Sequence, residues 1–308
     1  MSNQFPGGVW PVMLTPFTKD NQVDYPALEE LVNWYIKKGV DGLFAVCQSS
    51  EMFFLTEEES LQIASFVKEK AAGRVPVIAS GHTASALEDQ VIQIKNMAAT
   101  GVDAVILITN RFVDEHEGED VFRENIYKLI EQLPADIPLG FYECPKPYKR
   151  LISPNLLKEL ALTGRFYFLK DTCCDREQIE EKLEAARNTN LKIYNANTAT
   201  LLATLQAGVA GYSGVMANFQ PELYVWLVSK FKQDPQKAET LQNFLSMSAL
   251  IERQNYPVNA KYFLQLEGLS WTTTTRTSLL PLTPTDKLEV QQLQSLTAEY
   301  RMRFIQNR

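Results

Sequence analysis

Short apolar runs alternate along the chain with longer segments in which apolar residues recur at helical spacing. A run that is apolar on both faces is typical of a strand in a parallel sheet that is covered on both sides. Eight such runs occur, the last weaker because it is rich in glycine: residues 8–14, 42–47, 75–80, 104–108, 138–142, 166–170, 191–195 and 211–216. We therefore expect eight buried parallel strands.

The segments between these runs carry the sequence signals of helix starts. Side chains that can cap a helix, or that have capping-box spacing, precede several of the apolar-periodic stretches. The candidates are Asp24, Asp175, the pairs Thr56 with Glu59 and Ser85 with Glu88, and Ser153 before Pro154. Each predicted strand is thus followed by a predicted helix.

Eight strand–helix units predict the fold class. A (β/α)8 TIM barrel needs about this number of residues, whereas an open doubly wound sheet is the structural alternative. The count of eight favours the barrel. We expect an α/β chain in which residues 1–230 form the (β/α)8 barrel and residues 231–308 form a C-terminal helical appendage packed on it. In such barrels the active site lies at the C-terminal ends of the strands.

Composition and charge narrow the range of partners. The chain has 308 residues, of which 22% are charged, and a formal net charge of -7. An acidic balance without a basic run argues against nucleic acid or anionic membrane as the main partner. No apolar stretch approaches the roughly 18 residues of a membrane span, and the first residues lack a signal-peptide pattern. We expect a cytoplasmic protein.

The cysteines and histidines leave little room for a metal or a cofactor. Cys47, Cys144 and the adjacent pair Cys173 and Cys174 show no Cys-x-x-Cys spacing. The two histidines form no His-Glu-x-x-His pattern, and neither a Gly-x-Gly-x-x-Gly nor a Walker-type loop occurs. We therefore expect catalysis by side chains alone, with no metal and no cofactor.

Two neighbouring strands end in residues that suit chemistry on a ketone. Lys170 closes the sixth apolar run, where burial would lower its pKa and supply the free amine that attacks a carbonyl. Tyr142 closes the fifth run and could move protons beside that amine. The alternatives are a lysine paired with a carboxylate, such as Glu51, and a core tyrosine with its hydroxyl at the surface.

Together these strand ends resemble the dihydrodipicolinate synthase and N-acetylneuraminate lyase family of class I, Schiff-base lyases. The resemblance covers residues 8 to about 282. The quoted matches are Gly8-Val9, Thr15-Pro16-Phe17, Gln48-Ser49-Ser50-Glu51, Tyr142-x-x-Pro145, Leu169-Lys170-Asp171-Thr172 and the glycine-rich stretch 208–218. Each match alone is weak, but their ordered combination is specific.

The resemblance implies a mechanism and an assembly. Lys170 would form an imine with pyruvate or another 2-oxo acid, Tyr142 would shuttle protons, and Ser49 with Ser50 would hold the substrate carboxylate. It also places Thr172, Gly214 and Val215 at the substrate. Members of the family are typically homotetramers built as a dimer of dimers. A protonated imine withdraws electrons, so an adjacent carbon–carbon bond can break without a metal.

The sequence departs from both main branches of the family. In the synthase branch a threonine and a second tyrosine relay protons, and an arginine follows the catalytic tyrosine; here these positions read Gln48, Phe112 and Pro147. In the sialic acid branch an Asp-Glu pair follows the seventh strand, whereas Thr198 and Ala199 stand here. We therefore expect cleavage or dehydration of another 2-oxo acid, such as a 2-keto-3-deoxy sugar acid. Further candidates for lining its pocket are Gln48, Phe112, Glu143, Asn197 and Arg111.

Other functions stay open at this point. Lys146, Lys149 or Arg150 could replace the missing arginine and restore dihydrodipicolinate synthase activity, and N-acetylneuraminate lyase remains an alternative. A non-catalytic sensor of 2-oxo acids belongs to another class, and the presence of both Lys170 and Tyr142 argues against it. A metal-dependent aldolase on the same fold is disfavoured by the shortage of histidine.

Overall fold

A computed structural model describes residues 5–306 of the chain. The eight strands are β1 (Gly8–Val9), β2 (Leu43–Phe44), β3 (Val77–Ala79), β4 (Ala104–Ile108), β5 (Leu139–Tyr142), β6 (Phe166–Asp171), β7 (Lys192–Asn195) and β8 (Gly211–Tyr212). The helices between and after them are α1 (Tyr25–Lys37), α2 (Glu57–Ala71), α3 (Leu87–Ala99), α4 (Glu119–Glu131), α5 (Pro154–Leu162), α6 (Arg176–Ala185), α7 (Leu201–Ala207) and α8 (Pro221–Lys230).

All eight strands run parallel in one sheet. From β2 to β8 each strand pairs with the next along the chain, and β8 pairs with β1. The remaining gap is bridged between Val12, just after β1, and Phe44 of β2. The amide of Phe44 donates to the Pro11 carbonyl at 3.0 Å, and the amide of Met13 donates to the Phe44 carbonyl at 3.0 Å. The predicted (β/α)8 barrel is confirmed, and the open doubly wound sheet is wrong.

Aromatic side chains fill the interior of the barrel. The rings of Phe168 and Tyr194 stack with their centroids 4.2 Å apart, and Trp10 meets Phe168 edge-on at 5.3 Å. Gly42 lets the backbone pass this cluster, because a Cβ there would lie 2.2 Å from the Trp10 ring. The packed interior leaves the strand ends as the place for a site.

Most of the predicted helix starts are confirmed. The side chains of Asp24, Ser153 and Asp175 each accept a hydrogen bond from a backbone amide in the first turn, and Thr56 with Glu59 forms a capping box. The predicted box of Ser85 and Glu88 is wrong. Helix α3 begins at Leu87, so Ala86 occupies the cap position, and its methyl group cannot accept a hydrogen bond.

The C-terminal segment is helical, as expected, and lies on the barrel. It contains α9 (Pro235–Ser248), a short 3₁₀ helix (Ala249–Arg253), α10 (Val258–Leu266) and α11 (Pro284–Arg301). The amide of Asn218 donates to the Tyr256 hydroxyl at 3.1 Å, and Gln220 donates to Thr297 at 2.6 Å. The division of the chain near residue 230 stays a prediction. Among the helices described, none combines the length and the apolar character that a membrane crossing requires.

Candidate active site

A cavity of about 520 Å³ opens at the C-terminal ends of the strands. Its barrel side includes Gln48, Ser49, Tyr142, Lys170, Thr172, Gly214 and Val215, and Phe53 and Phe54 add an aromatic wall. The cavity thus lies where the barrel fold predicts an active site. It also collects most of the site residues that the sequence singled out.

Lys170 and Tyr142 face each other in this cavity from neighbouring strands. They are register partners of β6 and β5, and the Lys170 Nζ lies 4.2 Å from the centroid of the Tyr142 ring. Only 4% of Lys170 is exposed. Burial lowers the pKa of its ammonium, although the acidic groups of Cys47, Cys144 and Glu252 oppose the change. A lowered pKa increases the fraction of neutral amine, which is the nucleophilic form.

The pairing of Lys170 with Glu51 that the sequence left open is wrong. Glu51 is buried, and its Oε1 accepts a hydrogen bond from Lys261 at 3.0 Å. Its Oε2 accepts from the backbone amides of Arg276 and Thr277 at 2.6 and 2.9 Å. Among residues 5–306 no carboxylate lies within 4.0 Å of the Lys170 ammonium. The lysine is therefore not held charged by an ion pair.

Tyr142 stays protonated at neutral pH. Burial raises the pKa of its hydroxyl well above the usual value, and the neighbouring thiols of Cys144 and Cys47 add to the rise. The hydroxyl contacts the Cys144 thiol, which in turn donates to the Gln48 Oε1 at 3.3 Å. Gln48 is therefore connected to the tyrosine through a cysteine.

The two serines of the second-strand turn have different environments. Ser49 lines the cavity, and its hydroxyl contacts that of Tyr256. The Ser50 hydroxyl is buried, donates to the Cys47 carbonyl at 2.6 Å and accepts from the Cys47 amide at 2.7 Å. Ser50 thus closes the turn from behind, and its side chain is not part of the cavity wall.

Three further candidates line the cavity as the sequence suggested. The Thr172 hydroxyl donates to the Glu143 carbonyl at 2.6 Å, which fixes the start of the loop after β6. Gly214 and Val215 follow β8. A Cβ at Gly214 would lie 2.3 Å from the Tyr212 hydroxyl, so only glycine lets the chain pass at this point.

Phe112 and Asn197 lie outside the cavity wall. The Phe112 ring packs against His82 and Phe122, with centroids 5.9 and 6.1 Å away. The Asn197 Oδ1 accepts from the Thr200 amide at 3.1 Å and so stabilises the turn before α7. Both side chains therefore contact neighbouring residues of the barrel instead of the cavity.

Glu143 and Arg111 also point elsewhere. Glu143 is fully buried in an ion pair with Lys182. The Arg111 guanidinium lies 5.8 Å from the centroid of the Phe53 ring, and it is Phe53, not Arg111, that lines the cavity. Of the additional pocket candidates, only Gln48 reaches the cavity.

Comparison with known proteins identifies the family to which the chain belongs. A model of the dihydrodipicolinate synthetase family matches residues 5–298. The chain belongs to this family. It is 26% identical to the 4-hydroxy-tetrahydrodipicolinate synthase of Methanoculleus marisnigri, over 95% of this chain and 99% of that protein. It is likewise 26% identical to the Bacillus subtilis enzyme of that name, over 92% and 97%.

Solved structures of this family share the fold. The prophage protein YagE of E. coli K12, crystallised with pyruvate, superimposes with a TM-score of 0.85 at 22% identity, over 95% of this chain and 98% of that one. Dihydrodipicolinate synthase DapA-2 of Bacillus anthracis gives a TM-score of 0.85 at 22% identity, over 94% and 97%. The resemblance seen in the sequence is thus confirmed, and membership of the dihydrodipicolinate synthetase family supports a lyase.

The C-terminal segment contributes a wall of the cavity that the sequence did not reveal. Glu252, Tyr256, Pro257 and Thr277 all line it. Burial raises the pKa of Glu252 to about 7, although the positive charge of Lys170 opposes the rise. These residues lie more than 80 positions after Lys170 in the chain, and no local pattern marks them as site residues.

The three basic residues near Pro147 differ in where their side chains lie. Lys149 donates to the Thr172 carbonyl at 2.7 Å, and Arg150 donates to the Glu117 carbonyl at 2.8 Å. Lys146 is exposed and lines the mouth of the cavity. Lys146 is therefore the one of the three that a substrate in the cavity could reach.

Proposed function

We propose that this member of the family is a class I, Schiff-base lyase in which Lys170 forms an imine with a 2-oxo acid. The observation that carries the proposal is the buried Lys170 ammonium, 4.2 Å from the Tyr142 ring in a cavity of about 520 Å³. Desolvation of the amine favours the nucleophilic form, and the protonated phenol can supply a proton to the carbinolamine oxygen as water leaves. The hydroxyl of Ser49 is our candidate for binding the substrate carboxylate.

Our proposed substrate is a 2-keto-3-deoxy acid, such as a 2-keto-3-deoxy sugar acid, which would be cleaved or dehydrated. Pro147 replaces the arginine of the synthase branch, and both Lys149 and Arg150 donate to backbone carbonyls. The Thr198 hydroxyl bonds to those of Tyr212 and Tyr224 instead of presenting a carboxylate to a polyol. A site built for a charged or polyhydroxylated group needs such partners at fixed places.

Condensation of pyruvate with aspartate semialdehyde is the second candidate. The names of the curated relatives favour it. In addition, Lys146 lies at the mouth of the cavity, where it could bind a second carboxylate. A flexible, exposed lysine holds a carboxylate less specifically than a bidentate arginine does, and we therefore rank this candidate second.

A substrate panel distinguishes the two. We expect 2-keto-3-deoxy sugar acids to give a higher kcat/KM than either N-acetylneuraminate cleavage or the condensation of pyruvate with aspartate semialdehyde. A pyruvate-coupled assay separates cleavage from dehydration, because dehydration releases no pyruvate. If aspartate semialdehyde with pyruvate is the best pair, Lys146 has replaced the arginine and our substrate is wrong; Lys146→Gln would then abolish most of that activity.

We also propose a homotetramer, a dimer of dimers, on the basis of the family resemblance. Closed symmetric assemblies are the usual form of soluble oligomers. Multi-angle light scattering at micromolar concentrations should therefore give about four times the mass of one chain. A mass equal to that of a single chain over this concentration range would contradict the proposal.

A further inference from the structure

The charged side chains that line the cavity differ in whether another charge or solvent neutralises them. Four of the lining side chains are charged: Glu51, Lys146, Lys170 and Glu252. Glu51 is neutralised by Lys261 at 3.0 Å, and Lys146 is exposed to solvent at the mouth. The side chain of Glu252 has no hydrogen bond or ion pair with any residue of the range 5–306, and it is half-buried. A carboxylate in the cavity wall without a protein partner is free to accept hydrogen bonds from a ligand.

Glu252 lines the cavity from the C-terminal segment, whereas Lys170 lines it from the barrel. The 2-oxo group must sit at Lys170, between the ends of β6 and β5. Pyruvate is small compared with a cavity of about 520 Å³. The rest of a longer substrate therefore meets the wall formed by the C-terminal segment, with Glu252 and Pro257, and the aromatic wall of Phe53.

We propose that Glu252 is the specificity-determining residue for this distal part of the substrate, where it accepts hydrogen bonds from hydroxyl groups and excludes a second carboxylate. The inference rests on the proposed lyase function and narrows its substrate class. Hydroxyl groups satisfy both carboxylate oxygens, which lack donors in the free chain. A second carboxylate would instead face a like charge in a poorly solvated place.

The ionisation of Glu252 makes this selectivity depend on pH. The groups that face it are Lys170 of β6, Tyr212 of β8, Tyr224 of α8 and Tyr256 of the C-terminal segment. Burial holds the pKa of all three tyrosines far above neutral, and the protonated imine of Lys170 keeps the positive charge of the lysine. The pKa of Glu252 is raised to about 7, so its carboxylate is mostly protonated at pH 6 and mostly charged at pH 8. Exclusion of a second carboxylate should strengthen as the pH rises.

Two substrates that differ in one group test the inference. The compounds are 4-hydroxy-2-oxopentanoate, with a methyl group beyond the hydroxyl carbon, and 4-hydroxy-2-oxoglutarate, with a carboxylate there. Both are mixed with the enzyme in equal amounts, trapped rapidly with borohydride, and the two adducts are quantified by intact-protein mass spectrometry. For the wild type, we expect the ratio of methyl to carboxylate adduct to rise on the order of tenfold from pH 6 to pH 8.

The variant Glu252→Gln should lose this pH dependence and shift the ratio towards the dicarboxylate. Glu239→Gln is the matched control, because it removes the same charge from an exposed position of α9 and should behave like the wild type. A ratio that still rises with pH in Glu252→Gln would overturn the inference while leaving the lyase proposal intact. Absence of any adduct with pyruvate in the wild type would instead overturn the proposed function, and this inference with it.

Discussion

Replacing Lys170 with alanine should abolish the covalent adduct that borohydride forms with pyruvate on the wild-type enzyme. The reason is the position of the amine: Lys170 is 4% exposed, and its Nζ is desolvated and lies 4.2 Å from the centroid of the Tyr142 ring. Reduction of the imine by borohydride fixes a three-carbon group on the lysine irreversibly. Intact-mass and peptide mass spectrometry should locate it on Lys170, and turnover of Lys170→Ala should fall to the detection limit.

Lys146 provides the control for this experiment. It lines the same cavity but is exposed at the mouth, so its amine is not desolvated as that of Lys170 is. Lys146→Gln should therefore keep the adduct. If the adduct persists in Lys170→Ala and disappears in Lys146→Gln, the imine forms on Lys146 and our assignment to Lys170 is wrong. No adduct in the wild type with any 2-oxo acid would refute the Schiff-base mechanism and favour a sensor.

Tyr142→Phe separates imine formation from the later proton transfers in the same assay. It removes only a hydroxyl, so the variant should fold normally and still trap some pyruvate. Turnover should drop by about 10²–10⁴, which is the usual loss when a general acid–base group is removed. Undiminished turnover would assign the shuttle to another group, of which the Cys144 thiol is the nearest.

The sequence alone predicted the positions of those residues that are marked by the pattern of their immediate neighbours in the chain. Lys170 and Tyr142 each close a continuously apolar run, and in a parallel barrel the ends of neighbouring strands meet. The structure places them opposite each other in register. Asp24 and Thr56 cap helices for equally local reasons, because their side chains bond to amides three residues away.

The residues that escaped prediction are those whose place depends on contacts between distant parts of the chain. Glu252 and Tyr256 reach the cavity only because the C-terminal segment packs on the strand ends. Phe112, in turn, was expected near the substrate because it stands where the family's second tyrosine falls, but its ring packs against His82, which follows β3. Neither outcome is encoded in the residues immediately around these positions.

A buried charge cluster directly behind the site was likewise hidden, because its lysine lies in a helix that looks ordinarily amphipathic. The Lys182 Nζ of α6 is 2.6 Å from both the Glu143 Oε1 and the Asp171 Oδ2. The side chain of Lys182 is 2% exposed and those of both carboxylates 0%. Glu143 follows Tyr142 and Asp171 follows Lys170, so the cluster connects the two strand ends that carry Tyr142 and Lys170.

Lys182→Met should therefore destabilise the protein strongly. Burial alone would lower the pKa of Lys182, but the two carboxylates raise it, so the lysine is charged in the native state. Its removal leaves two carboxylates facing each other without a cation. Breaking a buried ion pair by removing one partner typically costs about 3–5 kcal/mol. Denaturant unfolding at pH 7 should show a loss of this size. Lys237→Met breaks an exposed pair with Asp234 and should leave the free energy of unfolding nearly unchanged.

The way in which the loss of unfolding free energy in Lys182→Met depends on pH identifies the cause of that loss. Burial already raises the pKa of Glu143, to about 7, while the ammonium of Lys182 opposes the rise. Without that ammonium, the native Glu143 carboxyl holds its proton to a still higher pH than it does in the unfolded chain. The native state then binds more protons than the unfolded state above about pH 4, so stability falls as the pH rises. The deficit of Lys182→Met should consequently be larger at pH 8 than at pH 5. If the loss of unfolding free energy is the same at both pH values, the lysine stabilises the fold through the packing of its methylene groups. Its charge would then not be needed to compensate the two carboxylates.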